Sequence, residues 1–66
     1  MIFNPGDLVV MTTVGKSNFN IDHGIGVIVE IDSERIGPEE FDPAFKVLFG
    51  DGYQYVYGDE IKKLIP

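Results

Sequence analysis

The chain has 66 residues, with 11 acidic and five basic side chains, a net charge of −6 at neutral pH, and no cysteine. This length allows one domain, residues 1–66, with a thin stability margin, since a domain of this size buries only about 60% of its unfolded surface. The lack of cysteine excludes a disulfide framework and a thiolate zinc site. The acidic balance makes nucleic acid an improbable partner, because such binding depends on lysine and arginine.

Two strands are predicted in the first half of the chain. Pro5-Gly6-Asp7 is a typical turn sequence, and Leu8–Thr12 follows it as an apolar, β-branched run. Gly26–Ile31 is the most β-prone run in the sequence. The glycines that precede or open this second run indicate a bulge or a sharp bend.

Two long segments have the composition of loops. The first, Thr13–Gly24, contains Phe19 and Ile21, and we expect these two apolar residues to fold back onto one end of the core. The second, Asp32–Ala44, has room for a single helical turn at 38–41, where a proline stands at the first position.

The stretch Phe45–Tyr57 predicts a β-hairpin, because two runs rich in aromatic and β-branched residues flank Gly-Asp-Gly. A two-residue turn at Asp51-Gly52 would pair Gly50 with Tyr53. That register puts the three tyrosines of the second run on the face opposite the valines of the hairpin.

A three-residue turn, with Gly52 left-handed, would instead pair Phe49 with Tyr53 and put all three tyrosines on the same face as Phe49. We favour this second register, because it gives Lys46 and Gln54 the solvent side together. A one-residue slip reverses the assignment of faces.

The chain ends with a predicted turn and a predicted strand. Gly58–Ile61 resembles a short 3₁₀ turn in which Asp59 acts as a cap, and Lys62–Pro66 reads as a short last strand. With the four strands before it, this order predicts an all-β, five-stranded small barrel with one tight hairpin.

Three stretches carry a resemblance to a known family: NPGDLVV at 4–10, GIGVIVEI at 24–31 and FKVLFGDGYQYVYGDEIKKL at 45–64. Together they resemble SH3-like barrels of the Tudor, chromo-barrel and KOW branch, and the small single-barrel proteins of tailed bacteriophages. The resemblance implies an SH3-like barrel and a non-enzymatic module that binds peptide tails, nucleic acid or other protein subunits.

The candidate binding residues are aromatic. In Tudor-type domains a cluster of aromatic rings at the barrel rim binds methylated cations by cation–π attraction. The positions that the resemblance assigns to such a cage are Phe49 and Tyr53, completed by Phe19. The full set of candidate binding residues is Phe19, Phe49, Tyr53, Tyr55 and Tyr57. The alternative is that these rings form ordinary core and rim packing.

No residue pattern indicates catalysis, a metal site or a cofactor. His23 is the only histidine, and one ligand does not make a zinc site, so we expect a structural or exposed loop residue. Glu39, Glu40 and Asp42 are acidic neighbours without the spacing of a calcium-binding EF-hand loop.

The sequence therefore predicts an interaction or assembly module, a small phage-type structural or accessory protein that packs onto a larger protein complex. Its partner would be another protein or further copies of the chain. The alternatives are Tudor-like recognition of a basic or methylated peptide, and a KOW-like nucleic-acid-binding or host-inhibiting protein. No apolar run long enough to span a membrane and no signal-peptide pattern is present, so we expect a cytoplasmic or virion-associated protein.

Overall fold

The structure, a computed structural model, describes residues 3–36 and 43–65. It contains five strands and one helix: β1 Leu8–Met11, α1 Thr13–Phe19, β2 Gly26–Ile36, β3 Pro43–Phe49, β4 Gly52–Tyr57 and β5 Ile61–Lys63. The strands form one antiparallel sheet in the order β4-β3-β2-β1-β5. The prediction of five strands is confirmed. β2 is longer than predicted, at 11 residues, the helix was not predicted, and the described strands form an open sheet with β4 and β5 at its edges.

One face of the sheet holds the core. Alternation along each strand turns every second side chain to this inner face, where the apolar residues are almost fully buried. The buried cluster is Phe3, Val9, Met11, Ile28, Phe45, Val47, Phe49, Val56 and Ile61. At one end the ring of Phe3 meets the ring of Phe45 edge-on, with centroids 5.3 Å apart.

Gly26 opens β2 because no larger residue fits there. A Cβ at this position would lie only 2.7 Å from Cδ1 of Phe49 and would also collide with Val47. The glycine therefore allows close packing of the core, whereas the register of β2 shifts further along, between Ile28 and Glu30. The bulge or bend expected beside Gly26 is not found there, and the first irregularity in the pairing of β2 lies between Ile28 and Glu30.

The loop predicted for Thr13–Gly24 is wrong in its first half, where the chain forms α1. The Oγ1 of Thr12 accepts the N–H of Gly15 at 3.1 Å, which caps the first turn. Asn20 ends the helix in the left-handed conformation, at φ 59°. The composition predicted a loop because glycine, serine and asparagine are weak helix formers. The helix is stabilised by a distant segment, as described below.

The expectation that this segment folds back onto the core is confirmed for one residue of two. Phe19, the last residue of α1, packs against the buried cluster. Ile21 is 52% exposed, so its predicted role in the core is wrong. Ile21 lies in the loop after Asn20, the residue in the left-handed conformation at which α1 ends.

The favoured hairpin register is also wrong. Phe49 pairs with Gly52 and Leu48 pairs with Tyr53, so the turn consists of Gly50 and Asp51 alone. Gly52 does take a positive φ, 124°. This register keeps the apolar side chains on the inner face and leaves the tyrosines, whose hydroxyl groups need water or a partner, on the other face.

Two boundaries differ from the prediction. β2 continues to Ile36 and β3 begins at Pro43, so both ends of the predicted loop Asp32–Ala44 are strand. The helical turn expected at 38–41 lies outside the described residues. Residues 58–60 form a single turn, as expected in position, but Glu60 rather than Asp59 caps it: its Oε1 accepts the N–H of Tyr57 at 2.8 Å.

Candidate interaction surface

The outward face of the sheet carries a row of apolar side chains that crosses all five strands. We call it the outward row, and it consists of Leu64, Leu8, Val27, Leu48 and Tyr53. Three members adjoin a core residue on their own strand: Leu8 precedes Val9, Val27 precedes Ile28, and Leu48 lies between Val47 and Phe49. The row follows directly from the period of two in these strands.

The pairing of the strands brings these residues side by side. Leu8 is the partner of Val27, Val27 is the partner of Leu48, and Leu48 is the partner of Tyr53. Leu64 continues the row beyond the last assigned residue of β5, since its N–H donates to the carbonyl of Leu8 at 2.9 Å. Side chains directly opposite one another on a sheet face are in contact range, so the row is continuous.

The exposure of the row is high for apolar residues. Tyr53 is 56% exposed, Leu8 45%, Leu64 40% and Leu48 38%. Single exposed apolar residues are ordinary, but a contiguous set on one face marks an interaction site in soluble proteins. The outward row is such a set.

Polar and charged groups border the row on both sides. The Nζ of Lys46 lies 4.6 Å from the centre of the Tyr53 ring, in a cation–π contact. Glu30 is the cross-strand partner of Lys46, and Lys62 lies on the other side of the row, across from Val10. An apolar centre with a charged rim is the usual layout of a protein interface.

The structure does not bring the five candidate binding residues together. Tyr53, Tyr55 and Tyr57 alternate along the outward face of β4, and Tyr55 is 39% exposed. Phe49 lies in the core on the opposite face and is 3% exposed. A pocket built from Phe49 and Tyr53 is therefore ruled out by the register, while the tyrosines remain available on the surface.

Phe19 and Phe49 instead enclose His23. The His23 ring centre lies 5.4 Å from that of Phe19 and 5.2 Å from that of Phe49. Its side chain is only 7% exposed, and its Nδ1 lies 2.6 Å from Oδ2 of Asp51 in the hairpin turn. A carboxylate can only accept, so Nδ1 donates the proton.

The other ring nitrogen of His23 faces apolar surroundings. Nε2 is buried and has no hydrogen-bond partner within the part of the chain that the structure describes. The backbone N–H of His23 donates to Sδ of Met11 at 3.2 Å. The residue thus joins the segment after α1 to the hairpin turn and to the core, which is the structural role expected for it.

The loop that carries His23 is held by its acidic neighbour. Oδ1 of Asp22 accepts the N–H of Gly24 at 2.9 Å, and Oδ2 lies 3.5 Å from Nζ of Lys16. The Gly24 hydrogen bond, followed by the Lys16 ammonium, lowers the pKa of the Asp22 carboxyl below its ordinary value of 3.8. The carboxylate form is therefore the one that stabilises this loop.

A buried carboxylate joins α1 to the turn before β5. Glu60 is 5% exposed, and its Oε2 accepts the side-chain N–H of Asn18 at 2.7 Å. Its backbone carbonyl accepts the N–H of Thr12 at 3.0 Å, and Thr12 in turn donates its hydroxyl to the carbonyl of Asp59 at 2.7 Å. These bonds explain why a helix of weak formers is stable here.

Within residues 3–36 and 43–65, no three histidine, cysteine, aspartate or glutamate side chains are placed to hold a metal ion. The helix described in this range is too short and polar to cross a membrane. No family model, no curated protein and no solved structure matches the chain.

Of the residues of the outward row, Tyr53 alone was predicted as a binding residue, and the row as a whole was not predicted as a site. Each of them was assigned to a strand or its end, but a row depends on the register between strands, which the sequence leaves open. The signal that could have found it is the presence of an apolar residue at an outward position of every strand.

Proposed function

We propose that this chain is a non-enzymatic interaction or assembly module that packs onto a larger protein complex through the outward row. The observation that carries the proposal is the continuous apolar row from Leu64 to Tyr53, in which four of the five side chains are exposed and Val27 is partly buried. A free monomer gains nothing from this exposure, whereas a partner that covers the row removes it from water.

The size of the row suits an interface. A specific interface buries about 800 Å² on each partner, which is just under a fifth of the 4364 Å² surface of this chain. The row spans the whole width of the sheet and forms the apolar centre of such an area, with Lys46 and Lys62 at its rim. Full burial of one leucine contributes about 1.5–3 kcal/mol, so a few of these side chains can supply the affinity.

The shape of the chain supports an SH3-like small barrel. Its principal extents are 26, 24 and 22 Å, whereas a flat sheet with one covered face would be markedly thinner than it is wide. Nearly equal extents therefore favour a twisted and curved sheet over a flat one. Together with the sequence resemblance, this curvature supports a barrel of the kind found in small phage structural and accessory proteins.

The first experiment measures the mass of the protein in solution and its crosslinking to partners from a position in the outward row. Light scattering on the untagged chain at micromolar concentration reports self-assembly, and a photo-reactive residue in place of Leu48 reports foreign partners in cells. We expect one of these readouts to be positive and to be lost when Leu8 and Tyr53 are changed to lysine. Val14, which is 46% exposed on α1, provides the matched control position.

The proposal is refuted by a defined combination of results. The wild-type chain would run as a 7.3 kDa monomer, and the reagent at Leu48 would capture nothing that the same reagent at Val14 does not capture. In that case the exposed row is a tolerated surface rather than an interface.

A second candidate is Tudor-like recognition of a basic or methylated peptide. The contact of Lys46 with the Tyr53 ring supports it, because the ring already accepts a cation. A peptide would have to displace Lys46. Titration with a trimethyl-lysine peptide against wild type and Lys46→Met tests this function: tighter binding by the variant is expected, and no binding by either protein contradicts it.

A further inference from the structure

The open edge of β5 presents backbone hydrogen-bonding groups to a partner. Among residues 3–36 and 43–65, β5 is the last strand of the sheet and pairs with β1 alone. The N–H of Leu64 donates to Leu8 and the carbonyl of Glu60 accepts from Thr12. In an antiparallel ladder these bonds alternate, so the N–H and the carbonyl of Lys63 point away from β1.

The same edge carries a positive charge in an acidic chain. Lys62 and Lys63 are two of the five basic residues, against a net charge of −6. Nζ of Lys63 lies 3.6 Å from Oδ2 of Asp7. Lys62 is exposed, and no acidic side chain in the described ranges pairs with it. An acidic group on a partner would give Lys62 the counter-charge that the described residues do not provide.

A shallow cavity of about 320 Å³ lies beside this edge. It is lined by Gly6, Asp7, Leu8, Lys63 and Ile65. Leu8 and Ile65 are 45% and 69% exposed and supply apolar walls. Asp7 and Lys63 supply its polar walls, so the cavity lies between the start of β1 and the end of β5, next to the open edge.

We propose that the β5 edge binds an extended segment of another protein as a sixth strand. Backbone bonds to Lys63 give affinity, an acidic residue opposite Lys62 gives direction, and an apolar side chain two residues away packs against the exposed Leu64, which lies on the same face as Lys62. Addition of a strand to an open sheet edge is a general mode of peptide recognition. The inference deepens the proposed function by naming the kind of partner, and it uses a different surface from most of the outward row.

The test is a titration followed by amide chemical shifts in NMR. The probe is a capped peptide, acetyl-Thr-Asp-Thr-Val-Thr-Val-amide, which places aspartate and valine on one face of a strand. We expect saturable shifts, largest at Lys63, at peptide concentrations up to about 1 mM. Lys62→Glu is expected to weaken binding by about tenfold, because a matched charge becomes a repulsive one.

Two variants at one position separate the backbone from the side chain. Lys63→Ala and Lys63→Pro both remove the contact with Asp7, but only proline removes the outward N–H. We expect alanine to keep binding and proline to abolish it, with amide shifts in β1 showing that each variant is folded. If the proline variant does not fold, a peptide with alternate N-methylated amides tests the same backbone hydrogen bonds, because it lacks its own N–H donors toward β5.

Three results would overturn the proposal. The peptide could give no shifts at the highest concentration, or the proline variant could bind as well as the alanine variant. The shifts could also centre on Leu48 and Tyr53, which would assign binding to the outward row alone. In the first two cases Lys62 and Lys63 are edge charges that prevent unwanted strand pairing. The mass and crosslinking results for the outward row are independent of each of these outcomes.

Discussion

Replacement of Gly15 by alanine is expected to destabilise the protein, although it should help an isolated helix. Within a helix, alanine is favoured over glycine by about 1 kcal/mol. In this structure, a Cβ on Gly15 would collide with the carbonyl oxygen of Glu60 and come within 3.0 Å of its carbonyl carbon. Both atoms are backbone, so α1 and the turn before β5 must move apart.

The cost follows from the bonds that this movement breaks. They are the bond from Thr12 N–H to the Glu60 carbonyl, the bond from the Thr12 hydroxyl to Asp59, and the bond from Asn18 to the Glu60 carboxylate. At about 1 kcal/mol for each neutral bond and more for the charged one, the gross loss is about 3–4 kcal/mol. After the helix gain of about 1 kcal/mol, we expect a net loss of about 2–3 kcal/mol.

The assay is urea unfolding followed by circular dichroism, with the free energy of unfolding taken by linear extrapolation. Ser17→Ala is the matched control, because Ser17 is exposed on the same helix and its replacement should be neutral or slightly stabilising. If Gly15→Ala is as stable as wild type, α1 does not depend on the contact with Glu60, and the explanation of this helix is wrong.

Three further changes test other parts of the structure. Glu60→Gln is expected to lower the free energy of unfolding by about 1–3 kcal/mol, because both carboxylate oxygens accept hydrogen bonds and an amide keeps only one acceptor. Urea unfolding measures this loss, and an unchanged urea midpoint contradicts the prediction. Asp22→Asn removes a carboxyl whose pKa is lowered on folding. The free energy of unfolding of wild type therefore exceeds that of Asp22→Asn by its full amount above about pH 4, and the difference disappears as the pH falls through the lowered pKa. A difference that stays the same at all pH values contradicts this prediction. Asp51→Ala leaves Nδ1 of His23 without its acceptor. It is expected to lower the free energy of unfolding by about 1 kcal/mol and to raise the rate of hydrogen exchange at the amides of residues 22–24. An unchanged exchange rate contradicts this prediction.

Much of the sheet could be predicted from the sequence because its strands are locally encoded. Leu8–Met11 and Gly52–Tyr57 are runs of β-branched and aromatic residues bounded by turn residues, and they are strands in the structure. Helix α1 could not be predicted in this way. Its residues favour a loop, and the bonds that stabilise it come from Glu60, 42 residues after Asn18.

The candidate site was harder to predict than the strands. Glycine at both 50 and 52 permits more than one turn, and each choice sends the tyrosines to a different face. The inner face is decided by the packing of Phe45, Val47 and Phe49 around Gly26, which the local sequence does not reveal. The sequence therefore identified the tyrosines as surface candidates but joined them to the wrong partner, Phe49.

The bonds between Thr12 and the Glu60 turn also constrain when the chain can fold during its synthesis. β1 pairs with β5, and α1 is capped against residues 59 and 60, so both elements need the segment up to Lys63. Contacts between residues far apart in sequence slow folding, because a long loop must close before they form. On the ribosome, the bonds from β1 to β5 and from Thr12 to residues 59 and 60 therefore form only after the segment up to Lys63 has left the exit tunnel, whereas β1 can pair with β2 earlier.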